Sequence, residues 1–454
     1  MASFTNLPED FDAKCQRAAE AIRSADIMLV LTGAGMSADS GLPVYRDIAN
    51  VEAYNKQRLT YADLCNPCWL KDDPELFFGF WGKCFNDYRD TEPHEGYHLL
   101  YQWKEKYFSE AAKPQLTQAL RQLQENVIER EGHNLIIYPR LQNVLRKRKL
   151  QQSKREDNGQ KQKEIIEEKN EVEAEKEKEK VNEENRNANL KENVETEEDA
   201  LVKSLKKLNI GLRTSELAEE LSQDIMPLPG PFYFFTSNVD AHGMKAGFAY
   251  HEVIQIHGNT EVWQCKNQCT RDLWKAPPGY KIHVDETTMR ASATVTLSQD
   301  GDADVGEISP SRPHHEASFA SNHPRCRNCG ALARPGVLMF GDGKWVEDDP
   351  QTEYWDAWSE AIRTYLDQYP DASLVLLEIG AGTNVPTVRW SSEQWVASLP
   401  HGACTLIRVN MDHIGSGFLP EERLDRFIGI KAGGLQTIQR IHHWLEGATA
   451  SSKG

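Results

Sequence analysis

An unbroken apolar run, Ile27 to Thr32 (IMLVLT), passes directly into Gly33-Ala34-Gly35-Met36-Ser37-Ala38. Gly33, Gly35 and Ala38 fit the G-x-G-x-x-G/A spacing that serves a dinucleotide where a strand turns into a helix. Glycines let backbone amides approach a pyrophosphate, and a helix N-terminus favours its charge. Phe11 to Ala25 has helical spacing, and beyond residue 230 come PFYFFTSNVDAHG, HEVIQIHGN, RPGVLMFGD, ASLVLLEIGAGTNVP and ACTLIRVNMD. Each is a β-rich run closing in a loop of Gly, Asn, Asp or His. The alternation predicts an α/β fold in which all five extend a Rossmann-like parallel sheet, with ligands at the carboxyl ends of the strands.

The residues after the glycines break the plan of a redox enzyme. In that plan the helix leads to a second strand ending in an acid about 20 residues on, which holds the ribose. Here Gly41, Pro43, Tyr45 and Arg46 come at once. Dinucleotide binding survives this; hydride transfer loses its support.

With 454 residues there is room for two or three domains, or for one large domain with insertions. The net charge of -17 draws heavily on a Glu- and Lys-dense segment between Glu110 and Pro229. Such a segment buries too little surface to offset its ordering entropy, so residues 111–225 read as a charged insertion, partly disordered or helical. LRKRKLQQSKR, Leu145 to Arg155, reads as either a nuclear import signal or a solvated helix. Acidic balance argues against nucleic acid and anionic membranes as partners. No apolar run approaches the roughly 18 residues of a membrane span, and the first residues lack secretory or transit character. The expected location is the nucleus or cytoplasm. There the nine cysteines stay reduced, and paired ones suit a metal better than a disulfide.

Cys265-x3-Cys269 and Cys326-x2-Cys329 offer four thiolates in two pairs, the donor set of a closed structural zinc site, within a module at 261–333 that carries an inserted loop at 292–323. Cys65 and Cys68 form a decoy pair read as core thiols, and His314, His315 and His323 read as loop residues. Residues 51–110 read as a helical module whose stripe of Phe77, Phe78, Phe80, Trp81, Phe85 and Tyr88 is a buried face. TSNVD (Thr236 to Asp240) and His257 in IHGN bring amide, carboxylate and imidazole to strand ends. A histidine of near-neutral pKa is suited to take a proton from a ribose hydroxyl.

Together these motifs resemble the sirtuin family of NAD-dependent protein deacylases. GAGMSADSGLPVYR, TSNVD, IHG, the four cysteines, RPGVLMFGD, GAGTNVP and VNMD match the family's motifs in order. The resemblance implies an NAD domain from 20–50, 226–260 and 334–445, beside a smaller helical and zinc-ribbon lobe. It implies NAD as co-substrate, one structural Zn2+, and an acyl-lysine protein or peptide as partner. Gly33, Ala34, Gly35, Ser37, Tyr45, Arg46 and Ser237 would form the cofactor loop and its surround. Asn238 would order the ribose and a water, and Asp240 would hold the nicotinamide carboxamide. Gly382, Thr383 and Asn384 would meet phosphate and ribose, Asn410 and Met411 the adenosine side. Val337, Phe340 and Gly341 would receive the acyl-lysine, its backbone added as a strand. His257, with Asn238, would be catalytic: nicotinamide leaves, His257 deprotonates the ribose, and the acyl group passes to ADP-ribose. Val44, Tyr45, Ser237, Asp342 and Asn384 depart from the usual motifs, while SNVD, the C-x3-C pair and the G-x-N-x-P-x-x-R pattern resemble a divergent microbial branch, some of whose members look like macrodomain-linked protein ADP-ribosyltransferases. That branch lacks the histidine present here as His257, which favours deacylation. Mono-ADP-ribosyl transfer, or a non-catalytic NAD or ADP-ribose sensor with the insertion as a partner-binding arm, are the alternatives.

Overall fold

The structure is a computed structural model, and it describes residues 7–131, 227–294 and 318–450. Its strands are β1 (Ile27–Thr32), β2 (Phe232–Thr236), β3 (Val253–Gln255), β4 (Gly258–Cys265), β5 (Trp274–Lys275), β6 (Ala333–Val337), β7 (Leu374–Ile379), β8 (Cys404–Asn410) and β9 (Phe427–Lys431). Every residue of β1 is buried: Met28 and Val30 enter one core layer, Ile27, Leu29 and Leu31 the other. That two-sided burial is what an unbroken apolar run provides in a parallel sheet. Six strands run parallel in the order β3-β2-β1-β7-β8-β9, with Thr32 level with both Thr236 and Ile379. The strand order reverses between β1 and β7, so a crevice opens above their carboxyl ends.

The helices that cover the sheets and frame the crevice are α1 (Phe11–Ser24), α2 (Ala34–Ala38), α3 (Pro74–Asp90), α4 (Glu95–Trp103), α5 (Pro114–Glu131), α6 (Asp349–Gln368), α7 (Thr387–Ser398) and α8 (Gly434–Ala450). α1 buries Phe11, Cys15, Ala18, Ala19 and Ile22, one helical stripe, in the layer it shares with α4 and α8. α5, α6 and α7 cover the opposite face through Leu120, Trp358 and Trp395.

Three expectations need correction. Residues 95–131, expected as helical module and insertion, belong to the parallel-sheet layers instead. α5 hides its buried stripe from a hydropathy reading because Thr117 and Gln124 are two of its members; Gln124 Nε2 donates to the Pro229 carbonyl at 2.8 Å. The rest of the charged insertion, with Leu145 to Arg155, lies outside the described residues. Next, RPGVLMFGD does not join the parallel sheet. Its β6 pairs antiparallel with β4 in a three-stranded sheet, β5-β4-β6. Pro335 lacks a ladder donor, which suits the edge position β6 takes. Finally, β9 (FIGIK) is a sheet strand beyond the five expected runs.

The small lobe gathers its core around the expected aromatic face: Phe77, Phe78, Phe80, Trp81 and Phe85 are buried with Trp263 and Trp274. Cys65 is buried in that core, whereas Cys68 is exposed. Of the loop at 292–323, Ser318, Asn322 and His323 are interior, and the His323 ring stacks on Phe78 at 4.5 Å. His314 and His315 lie outside the described residues. No helix among the described residues is long and apolar enough to cross a membrane.

Candidate active site and metal centre

The amides of the opening turn's two glycines have partners within the protein. Gly33 N–H donates to Ile379 O and Gly35 N–H to Gly380 O, both at 3.0 Å, so these amides are already engaged with β7 and the turn after it. A Cβ on Gly35 would stand 2.7 Å from Gly380 Cα, and Gly380 itself has φ +65°. Two GAG turns, Gly33-Ala34-Gly35 and Gly380-Ala381-Gly382, thus interlock at the carboxyl ends of neighbouring strands.

Above this junction lie two cavities that share Ala34, Ser237 and Val385 as a common wall. The first, about 380 Å³, is bordered by Ser37, Asn238, Asp240 and His257 on one side and Val337 to Asp342 on the other. Ser37 Oγ donates to Asp240 Oδ2 at 2.5 Å and accepts from Asn238 Nδ2 at 2.9 Å. Asn238 Nδ2 also reaches Gly33 O at 3.0 Å, and His242 N–H donates to Asp240 Oδ1 at 2.9 Å. Ala241 between them holds φ +60°, a conformation that a non-glycine residue adopts only under local constraint. The loop presenting Asp240 is therefore pinned at both ends.

His257 sits where β3 gives way to β4. Its Nδ1 lies 3.2 Å from the Ser237 carbonyl, so Nδ1 carries the proton and Nε2 keeps its lone pair. Burial lowers its pKa below the ordinary 6.5, and the bond to Ser237 only partly opposes this. The ring is neutral at pH 7 and ready to accept a proton. The next residue must be glycine: Gly258 has φ +69°, and a Cβ there would meet Gly336 O at 1.9 Å.

The second cavity, about 740 Å³, is bordered by Gly33, Gly35, Gly382, Thr383, Asn384, Asn410 and Met411. Asn410 shapes it more than it offers itself, since Nδ2 donates to Ala381 O at 2.8 Å and Oδ1 accepts from Asp412 and His413 amides at 3.0 and 3.1 Å. Beneath, Arg408 meets Glu378 at 2.7 Å, Glu393 at 2.8 Å and Gly415 O at 2.6 Å, and holds the loop after β8 from inside. Tyr45 and Arg46 open a one-turn helix, Tyr45–Ile48; their side chains lie outside what the structure describes.

Val337, Phe340 and Gly341 border the first cavity, and the room for an added strand there is narrow. Leu338 N–H already donates to His257 O and Phe340 N–H to Cys65 O, both at 3.0 Å, so these two amides are not open to a peptide. Asp342 pairs with the buried Arg334 and accepts from Lys344 N at 3.0 Å, which explains why an acid closes RPGVLMFGD.

In the small lobe the sulfur atoms of Cys265, Cys269, Cys326 and Cys329 lie within 4.8 Å of one another, with pairs at 3.6 and 3.5 Å. Tetrahedral zinc with bonds of about 2.3 Å needs sulfurs about 3.8 Å apart, so the cluster fits one ion. Asn267 and Asn328 amides each approach a cysteine sulfur at 3.4 Å, a matched pair of turns. Four thiolates leave no open position for a reacting ligand.

Residues 230–352 match the Sir2 family, a span that contains Asn238, Asp240, His257 and all four cysteines. Over that span the chain is similar to the Sir2 family. Sirtuins use NAD as co-substrate, and the shared wall of the two cavities suits a ligand that spans both. Among the relatives, an NAD-dependent protein deacylase of Deinococcus radiodurans is 33% identical over 84 residues, 18% of this chain and 33% of that protein. An NAD-dependent protein deacetylase of Shouchella clausii is 29% identical over 102 residues, 22% and 41% of the two chains. A probable bifunctional ADP-ribose hydrolase/ADP-ribosyltransferase of Fusarium oxysporum f. sp. cubense is 27% identical over 180 residues, 39% and 25%. The matched stretches thus span between 25% and 41% of these relatives' own length. A solved Sir2 homologue–NAD complex aligns with 95% of this chain and 94% of its own at 13% identity and a TM-score of 0.42.

Tyr97 is a residue of this site that motif reading missed. It lies in EGYHLLYQW, where it reads as one more member of an apolar helix face.

Proposed function

We propose that the protein is an NAD-dependent protein-lysine deacylase. The observation that carries this reading is the first cavity, where His257, Asn238 and Asp240 face the Val337 to Gly341 segment across one space. When bound, NAD would supply an electrophilic C1′, to which the acyl oxygen of the lysine substrate would bond as nicotinamide leaves. Asp240 holds the carboxamide of that ring, and Asn238 orients the ribose and a water. His257 would accept the ribose hydroxyl proton at Nε2 as that oxygen bonds to the imidate carbon, and water would then cleave the carbon–nitrogen bond to give free lysine and O-acyl-ADP-ribose. Val337, Phe340 and Gly341 seat the acyl-lysine, and the second cavity takes pyrophosphate and adenosine. The NAD-binding residues come from the parallel-sheet segments and the zinc cluster stabilises the other lobe.

A second reading, mono-ADP-ribosyl transfer to protein, is favoured by the Fusarium relative, whose matched stretch is longer than those of the Deinococcus and Shouchella proteins. Incubation with an acetyl-lysine peptide and adenine-labelled NAD separates the two. Deacylation predicts labelled O-acetyl-ADP-ribose and free lysine; labelled protein with the acetyl group intact supports transfer instead.

A further inference from the structure

We propose that Tyr97 is the positioning residue for Asp240: its hydroxyl fixes Ser37, and through Ser37 the carboxylate that meets the pyridinium carboxamide of NAD. The inference rests on the proposed NAD cleavage for the identity of that ring.

Tyr97 is 1% exposed, and its hydroxyl lies 3.1 Å from Ser37 Oγ, which in turn lies 2.5 Å from Asp240 Oδ2. Donor accounting fixes the direction of this chain. A carboxylate has no proton to give, so the single Ser37 proton goes to Asp240. Ser37 Oγ is then an acceptor only, and it takes the Asn238 amide at 2.9 Å and the Tyr97 O–H. Burial raises the Tyr97 pKa well above its ordinary value and the neighbouring Asp240 charge adds to this, so the phenol keeps the proton it donates. Each hydroxyl polarises the next toward the anion, and the final bond is the short, charge-assisted one.

The phenol is held from two sides. Its ring meets His242 edge-on at 5.7 Å, and His242 N–H is the other donor to Asp240. Three residues before it, His94 contacts Met36 O at 2.8 Å through Nε2 and accepts Gly96 N–H at 2.9 Å, which ties the start of α4 to α2. Both Asp240 oxygens thereby have one protein donor, and each retains acceptor capacity for an amide N–H. Without the Tyr97 hydroxyl, Ser37 has an unfilled acceptor site in a buried pocket and freedom to rotate, and Asp240 loses its fixed aim.

The test is calorimetric binding of two probes to the full chain: NAD, and ADP-ribose, which lacks the carboxamide ring. Tyr97→Phe is expected to weaken NAD about fivefold while ADP-ribose stays within about twofold. Adding Tyr97→Phe to Ser37→Ala is expected to weaken NAD no further, because the chain is already cut. Should Tyr97→Phe fail to fold, Ser37→Ala breaks the same chain and must show the same split between the probes. Equal weakening of both probes, or effects of the two substitutions that multiply, overturn the proposal and leave Tyr97 a packing residue. If the variants show this split but wild type releases no nicotinamide with any acyl-lysine peptide, the deacylase reading is overturned and the role of Tyr97 is not. A wild type without affinity for NAD overturns both.

Discussion

At the scale of single residues, the site is made of groups whose surroundings leave them few options. Gly35 packs on the backbone of Gly380, so Gly35→Ala forces the two turns apart. The expected loss is about 1–3 kcal/mol of stability, read from urea unfolding, together with weaker NAD binding. An unchanged urea midpoint would show that the turns relax freely. Burial lowers the His257 pKa below 6.5, so if the ring is the base proposed above, kcat/KM for an acyl peptide should be flat from pH 7 upward to about 8 and fall only on acidification below 6.5. An acid limb centred above 6.5 contradicts this environment for the ring. The GAG, SNVD and IHG motifs were legible because each places a special backbone or a reactive group at a strand end. Tyr97 was not: its role comes from α4 lying against α2, a contact 60 residues apart in sequence that no local pattern encodes.

Among the elements, the zinc ribbon and the parallel sheet are distinct packing problems. β4 ends at Cys265, and β6 begins seven residues after Cys326, so the cluster ties the two strands whose other ends carry His257 and Val337 to the cavity. Removal of zinc by a chelator should release one ion per chain and lower the thermal midpoint by about 5 °C or more, with Cys326→Ser giving the same result. Metal analysis alongside a thermal melt checks both; a chain that keeps its midpoint without zinc would deny the cluster a structural role. Apolar strands buried on both faces announced β1, β2, β7 and β8. RPGVLMFGD carried the same signal and misled, because strand propensity says nothing about which sheet recruits it; the Pro335 edge and the Arg334–Asp342 clamp decide that. α5 stayed hidden for the opposite reason, as its inward face includes a threonine and a glutamine that find partners only in the folded chain.

For the whole molecule, several histidines are held neutral by burial: His94, His242, His251, His257 and His323 all have lowered pKa values. His251 is pushed down to about 4, by burial first and then by the nearby Lys104 and Arg121 charges. A lowered value means the unfolded chain binds more protons than the folded one at mildly acid pH. Stability from this source is complete above the unfolded value near 6.5 and is lost as pH falls toward 4. Urea midpoints should therefore drop between pH 7 and 5, and drop less in His251→Phe; equal drops would remove His251 from the account.

The central claim, that the two cavities hold NAD for cleavage and acyl transfer, is tested most directly by single-turnover nicotinamide release with an acyl-lysine peptide. Wild type is expected to release nicotinamide and form O-acyl-ADP-ribose in equal amounts, and His257→Ala to form that product at least about a hundredfold more slowly, in line with the loss of a general base. Product formation by His257→Ala at the wild-type rate, or a wild type that releases no nicotinamide with any acyl peptide, would contradict it.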